Sequence, residues 1–563
     1  MHWLDWILFV GFLAYIVWDG IRKSGSQHGS EDYFMAGRSV PWWAAGLSIM
    51  ATQASAITMI GTTGQGWSDG LRFVQFYFAL PIAMILIAIW VVPVYHRLRV
   101  HTPYEYLGHR FDEKTRVLSA LLFLVLRCAS VGFVIYTPSL VLSRVFHLPI
   151  SLTILAMGGV AVVYTSLGGL SAVISTDVKQ MTVMTLGLIV AVFVAGREVS
   201  GLVGWEGAYH IAESAGRLHA VDWSWNPTEK YTVWSSLIGG LFLFLSYFGT
   251  DQSQAQRLLA SRSVRDARGA LLLNAVFKVP FQFLVLSLGV LLFVFYSVQG
   301  APIGFEPSAQ DPNSVPAQAK TEYAQIEQEY ASVQERLATR AHRLADTGTA
   351  SAGDVDALQA EFLETLKESE SLREEARRLR GGPKDTNYVF LDFILTQLPM
   401  GIVGLLLAAI FAAALSSIDS EINSMATVAV VDLFARNRIR RATERGESIL
   451  EGRDLLTSSR VATVLIGAFA TAFALYVDVV GSLVEVVNKF GSYIYGSLLG
   501  AFLLAFLVKR ANGTGAFVGI LVGMVVVVAA AQTGLAFLYL NTLGTVVVLL
   551  VGTVVSLAAP NRV

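Results

Sequence analysis

Residues 42–67 read WWAAGLSIMATQASAITMIGTTGQGW, a run long and apolar enough to cross a bilayer that nevertheless carries Ser48, Thr52, Gln53, Ser55, Thr58, Thr62 and Thr63 among its glycines. Hydrocarbon offers no partner for a hydroxyl or an amide, so a helix facing lipid does not collect such groups. Taken singly, each small polar residue reads as a helix-packing contact. Their density in one span predicts an interrupted helix whose freed carbonyls line a polar cavity at mid-membrane.

The surrounding chain fits that setting. Apolar residues make up 54% of the sequence and charged residues 15%, and the mean hydropathy is +0.56, too little polarity for 563 residues to cover a water-facing surface. The environment is a lipid bilayer. A net charge of -1 provides no basic field for nucleic acid, and Cys128, the single cysteine, excludes an internal disulfide and an all-cysteine metal site. The N-terminal MHWLDWILFVGFLAYIVWDG lacks a basic lead and a small-residue cleavage motif, so it is read as a retained first span.

Apolar runs predict spans near residues 3–21, 41–64, 71–97, 117–146, 149–168, 177–197, 231–250 and 270–298, then 400–434, 456–477, 482–508, 513–533 and 537–557. The expected fold is therefore an all-α polytopic membrane protein of thirteen transmembrane helices. Residues 1–298 hold spans one to eight, 299–387 form an insert, and 388–563 hold spans nine to thirteen. Lys and Arg are retained on the cytoplasmic side. Arg22, Lys23, Arg38, Arg97, Arg99, Arg110, Lys114, Arg116, Arg257, Arg262, Arg265 and Arg268 share one side, as do Arg436, Arg438, Arg440, Arg441, Arg445, Arg453 and Arg460. The N-terminus is then outside and the C-terminus cytoplasmic, with the plasma membrane, a bacterial cell inner membrane, as the location. Residues 198–230 read as an external loop with short helices.

The insert is rich in Glu, Gln, Ala and Arg, with Tyr323, Ile326, Tyr330, Val333 and Leu337 at three-four spacing and a second series of Val355, Leu358, Phe362, Leu372, Ala376 and Leu379. It reads as an antiparallel helical hairpin, coiled-coil-like and projecting outside. The plain reading is a solvated appendage; the sharper one is docking of a protein partner or self-association.

In the ninth span, Ser416 and Ser417 follow an alanine-rich face and precede Asp419 and Glu421. Two adjacent hydroxyls beside carbonyls of an unwound neighbour suit a hard cation such as sodium, whereas the plain reading has both hydroxyls bonding back one turn. Asp177 and Asp251 lie near span ends, either on an ion or solute path or bound to an arginine such as Arg257. Lys278, beside Pro280, is deeper in its span and is read as snorkelling, pairing with a carboxylate or facing solute. The sequence holds no GxxxxGK[ST], HExxH or GxSxG, so enzymatic catalysis and nucleotide-driven pumping have no support, and an ion gradient or the solute's own gradient must supply the energy.

Five separated segments then resemble the sodium:solute symporter family, which includes sodium-coupled sugar, proline, sialic acid, iodide, vitamin and monocarboxylate transporters. They are EDYFMAGRSVPWWAAGLSIMATQASA at 31–56, TPYEYLGHRF at 102–111, YTSLGGLSA at 164–172, DQSQAQRLLASRS at 251–263 and ALSSIDSEINSMATVAVVDLF at 414–434. The resemblance implies two inverted five-helix repeats of the LeuT-like kind, spans two to six (about 41–197) and seven to eleven, with the second and seventh spans broken. It implies sodium at the carbonyls of Ala51 and Ala54 and at Ala413, Ser416 and Ser417, with Asp177 on the sodium exit path. The positions matching the sugar ligands of some members are Gln53, Ile57, Thr58, Tyr77 and Asp251, which departs from the sugar-binding pattern and leaves the solute open. The function expected is sodium-coupled symport of a small polar organic solute into the cell by alternating access, with Na+ as coupling ion, no other metal and no organic cofactor. The alternatives are a membrane solute sensor or scaffold that uses the external hairpin, and a symporter coupled to protons through Asp177 or Asp251.

Overall fold

The computed structural model describes residues 2–24, 30–306, 309, 314–346, 352–382, 385–438, 453–477 and 483–559. Among these the chain is helical, and the β pairing present is one isolated bridge between Val40 and Ser261. Among the described residues nine helical stretches are long and apolar enough to cross a membrane, and Trp3–Ile16, Ile150–Val163 and Ser235–Gly249 are shorter apolar helices.

The helices that matter here are α1 (Trp3–Ser24), α2 (Trp42–Gln53), α3 (Thr63–Asp69), α4 (Glu113–Phe146), α5 (Ile150–Ser214), α6 (Leu241–Gly249), α7 (Gln252–Leu259) and α8 (Val264–Gln299). The hairpin helices α9 (Lys320–Ala345) and α10 (Ala352–Arg380) follow, then α11 (Ile402–Val428), α12 (Arg453–Ala474), α13 (Leu483–Leu507), α14 (Gly513–Ala530) and α15 (Phe537–Ala558). Their starts are written locally: Asp112 accepts from the Thr115 N–H at 2.8 Å ahead of α4, and Ser263 accepts from the Asp266 N–H at 3.1 Å ahead of α8, each satisfying a donor that the first turn leaves free.

α11 is the centre of the fold, buried without interruption from Leu406 to Val428. A helix apolar on all sides and also carrying Ser416, Ser417, Asp419, Ser420 and Glu421 has to find partners for them inside the protein. Within α5 the helix is interrupted at Gly169, between the fifth and the sixth predicted segments, and at Gly204, at φ 68° and ψ 170°, a conformation closed to other residues. The sixth segment runs on to about residue 203, and 205–214 is a short separate helix of the kind expected in 198–230.

Two basic residues counted as loop charges are structural instead. Arg116 is paired with Asp432 at 2.7 Å, and Arg257 is fully buried. Arg440, Arg441 and Arg445 lie outside the described residues.

The hairpin forms as its spacing predicts, with Tyr323, Ile326, Tyr330 and Val333 packed on Leu372 and Ala376. It does not project freely. Leu337, Ala341, Leu344 and Phe362 belong to the same apolar cluster as the membrane helices. Glu370 reaches Arg217 at 3.6 Å, and the Arg373 guanidinium lies over the rings of Trp67 (5.1 Å) and Phe305 (4.9 Å) while bonding Asp385 at 2.8 Å. Beside it, burial and the Asp385 charge push the Glu306 carboxyl above its usual range, although Arg380 is bonded to it. Arg373→Ala removes both ring contacts and the ion pair, so it is expected to cost about 2 kcal/mol and to lower the melting temperature of the purified protein. An unchanged melting temperature would mean the hairpin is not fastened there.

Candidate functional site

The interruption read in residues 42–67 is present. α2 stops at Gln53, and Ala54, at φ −90° and ψ 75°, leaves the helix. Ser55 restarts it: its Oγ accepts from the Ile57 N–H at 3.1 Å, and its carbonyl accepts from the Thr58 N–H at 2.9 Å. The seventh span is broken as well, α6 ending at Gly249 and α7 beginning at Gln252 with Asp251 as its cap, which accepts from the Ser253 N–H at 2.9 Å.

α11 crosses the first break at its serine pair. Ser416 Oγ lies 3.0 Å from the Ala51 carbonyl and 3.1 Å from that of Ala413. Ser417 Oγ lies 3.1 Å from the Thr52 carbonyl and 3.2 Å from that of Ala413. The hydroxyls therefore bond back one turn and across to α2 at once. Each has a single hydrogen for two carbonyl contacts, so the cluster is rich in oxygen and short of protons, the composition that accepts a hard cation. Four of the five predicted sodium residues, Ala51, Ala413, Ser416 and Ser417, meet here. Thr52 joins them through its carbonyl, and Ala54 sits in the break beside them with its N–H on the Met50 carbonyl at 2.8 Å.

Asp177, on α5, meets α2 at Ser48, one turn before Ala51 and Thr52. It accepts from Ser48 Oγ and lies 3.7 Å from the Arg257 guanidinium, which also donates to Ser48 at 3.2 Å, to the Ser253 carbonyl at 2.6 Å and to Ser420. Arg257 thus takes Asp177, not Asp251, as its carboxylate.

On the other side of the serine pair lies a cavity of 110 Å³, lined among others by Gln53, Ile57, Thr58 and Tyr77, together with Thr52 and Ser417 of the oxygen cluster. Asp251 is not in its wall. It stands behind Arg127, whose Nε donates to Asp251 at 2.8 Å, Nη1 to Glu421 at 2.9 Å and Nη2 to Tyr495 at 3.0 Å, with the Tyr247 ring at 5.1 Å. Arg127, Glu421, Tyr247 and Tyr495 all line the cavity and were not among the predicted site residues. The available signal was Arg127 itself, an ionisable group in the middle of LLFLVLRCASVGF, because charges at membrane depth are rare and tend to be functional. Lys278 lies 5.6 Å from the ring centres of Tyr77 and of Phe281, and its Nζ has no hydrogen-bond partner.

Comparison with known proteins shows the family of the chain. The model of the sodium:solute symporter family matches residues 33–320 and 381–523, leaving out most of the hairpin. The sodium/sialic acid symporter SiaT of Proteus mirabilis is 25% identical over 564 aligned residues, covering 99% of this chain and 96% of that protein. The sodium/glucose cotransporter of Vibrio parahaemolyticus is 26% identical, covering 92% and 83%, and the human sodium/iodide cotransporter is 34% identical over 50% of this chain and 43% of its own. The solved structure of a substrate-bound, outward-open Na+-coupled sialic acid symporter shares the fold, with a TM-score of 0.75 at 24% identity over 99% of this chain and 98% of that one. These sodium-coupled relatives are transporters and not enzymes. With three quarters of its length matched by the family model, this multi-pass membrane protein belongs to the sodium:solute symporter family, whose activity is sodium-coupled symport of a solute.

Proposed function

We propose that this chain carries one small polar organic solute into the cell with sodium by alternating access, that sodium binds at Ala51, Ala54, Ala413, Ser416 and Ser417, and that the solute occupies the adjoining cavity against Gln53, Thr58 and Tyr77. The observation that carries this reading is the sharing of wall: Thr52 and Ser417 belong both to the oxygen cluster and to the cavity. A cation that orders the break in α2 thereby orders one side of the solute site, which couples the two bindings without a longer path. The gradient supplies about 2.3 kcal/mol per sodium for each 100 mV. Asp177 takes the exit path, and Asp251 acts by holding Arg127 in place.

The reading extends to the whole chain: thirteen spans, two inverted repeats around the breaks at Ala54 and Asp251, an outside N-terminus, a cytoplasmic C-terminus and a bacterial inner membrane as location. It takes residues 1–298 and 388–563 as the transmembrane core and 299–387 as the external insert. In this reading the hairpin straps the outer end of α3 through Arg373 and Trp67, in place of docking a partner.

Hydrogen bonds to a charged group contribute about 1.5–3 kcal/mol, so Ser416→Ala and Ser417→Ala are each expected to raise the sodium concentration for half-maximal uptake about 10-fold or more in proteoliposomes. Solute affinity at saturating sodium should change much less. Normal sodium dependence in both variants would remove the site from consideration.

A further inference from the structure

The cavity's one lining guanidinium is already spoken for. Arg127 donates to Asp251 and to Glu421, and both carboxylates are buried with it. Asp251 completes its bonding with the N–H and hydroxyl of Ser253 at 2.9 and 2.8 Å. Glu421 does not: its Oε2 has no hydrogen-bond partner, and neither has Oε1 of Gln53. Both are acceptors, and both residues line the cavity. Lys278 contributes no bond to either, since its Nζ has no hydrogen-bond partner.

We infer that the solute carries a protonated amine that donates to Glu421 and Gln53, and that the cavity rejects solutes whose polar group is an anion. The inference rests on the reading of this cavity as the solute site. An ammonium brings N–H donors to two acceptors that lack them and meets a carboxylate only half satisfied by Arg127. An anion must take Arg127 away from Glu421 and leave that carboxylate buried without a partner, the arrangement a low-dielectric site penalises most. The rest of the wall mixes hydroxyl and amide groups such as Thr58, Ser130 and Asn488 with the apolar Ile57, Val134, Leu243, Phe244 and Val487 around a cavity of 110 Å³, so the amine is mounted on a compact skeleton. Selection of this kind works by repulsion as much as by attraction.

The test uses the purified full chain in sodium and in potassium. Melting temperature is recorded against matched compounds: isopropylamine with isopropanol and isobutyrate, pyrrolidine with cyclopentanol and cyclopentanecarboxylate, and iodide. A bound ligand raises the melting temperature by mass action. At least one amine is expected to stabilise the protein in sodium, and its deaminated partners are expected to have no effect. Glu421→Gln should raise the half-saturating amine concentration at least 10-fold while the shift caused by sodium alone is kept, and Gln53→Leu should weaken the same compound. Stabilisation by a carboxylate or iodide that lacks an amine, no response to any amine, or equal amine affinity in both variants overturns the inference. Ser130→Trp separates this failure from failure of the site reading, because Ser130 lines the cavity and the indole fills it. If that variant still takes up the stabilising solute normally, the cavity itself is misassigned. If uptake is lost and the solute is an anion, the site stands and the amine inference alone falls.

Discussion

Arg127→Met is expected to abolish sodium-driven uptake and to destabilise the fold by about 3–5 kcal/mol, the cost of leaving buried charge without its partner. The guanidinium joins four elements: it sits on α4, holds Asp251 in the break between α6 and α7, holds Glu421 on α11 and accepts the company of Tyr495 on α13. Methionine preserves much of the volume and the apolar contacts of the stem, so the loss isolates charge and hydrogen bonding from packing. Two buried carboxylates would then be left without their shared cation. The companion variant Arg127→Met with Asp251→Asn and Glu421→Gln removes that charge and is expected to recover most of the melting temperature, while uptake stays lost because the cavity has lost its charged groups and their hydrogen bonds. Melting curves and proteoliposome uptake on the two variants check this. A single variant that melts with the wild type would show that the triad does not hold these helices together.

The helices were legible because the bilayer imposes a length and a polarity on them that can be read directly, and the break in the second span was legible because its hydroxyls have no other use in lipid. The serine pair was found in the same way. The partners of buried charge were not. Asp251 and Arg257 are six residues apart and looked like a pair, but six residues turn a helix by about 600°, which puts the two side chains on different faces. Asp251 caps α7 toward α4, while Arg257 faces α2 and α11. Arg127 lies mid-span with no acidic residue near it in sequence, and its partners Asp251 and Glu421 come from distant segments. The hairpin's own seam was plain in the spacing of Tyr323, Ile326, Tyr330 and Val333. What it lies on was not, since Trp67, Arg217 and Phe305 are distant in sequence and carry no pattern that points to it. The end of the sixth span, which runs on to Gly204, is set by that glycine's positive-φ conformation, and the short helix after it, with Trp205 and Tyr209 exposed, is of the kind expected in 198–230.

The second large effect is expected at Gly289→Val, which should destabilise the protein by about 3 kcal/mol and depress uptake beyond what reduced folding explains. α8 and α3 cross with their backbones in contact. A Cβ on Gly289 would stand 2.2 Å from the Thr63 carbonyl oxygen and 2.7 Å from the Gly66 Cα, and one on Gly66 would stand 2.5 Å from the Leu286 carbonyl oxygen. These neighbours are main chain, so no rotamer change relieves the clash and the helices must separate. Close approach of this kind is how membrane helices associate where the hydrophobic effect gives no drive between them. Displacing α3 also displaces the π-helical turn Thr58–Thr62 that leads into it, and with it the wall that Thr58 and Thr62 give the cavity. Gly201→Ala on α5 is the control. Nothing lies within 4 Å of a Cβ there, so it should melt at or slightly above the wild-type temperature, alanine being the better helix former. If Gly289→Val and Gly201→Ala melt alike, α3 does not lean on α8. If Gly289→Val melts early yet transports normally per folded molecule, the crossing supports the fold without setting the position of the solute wall.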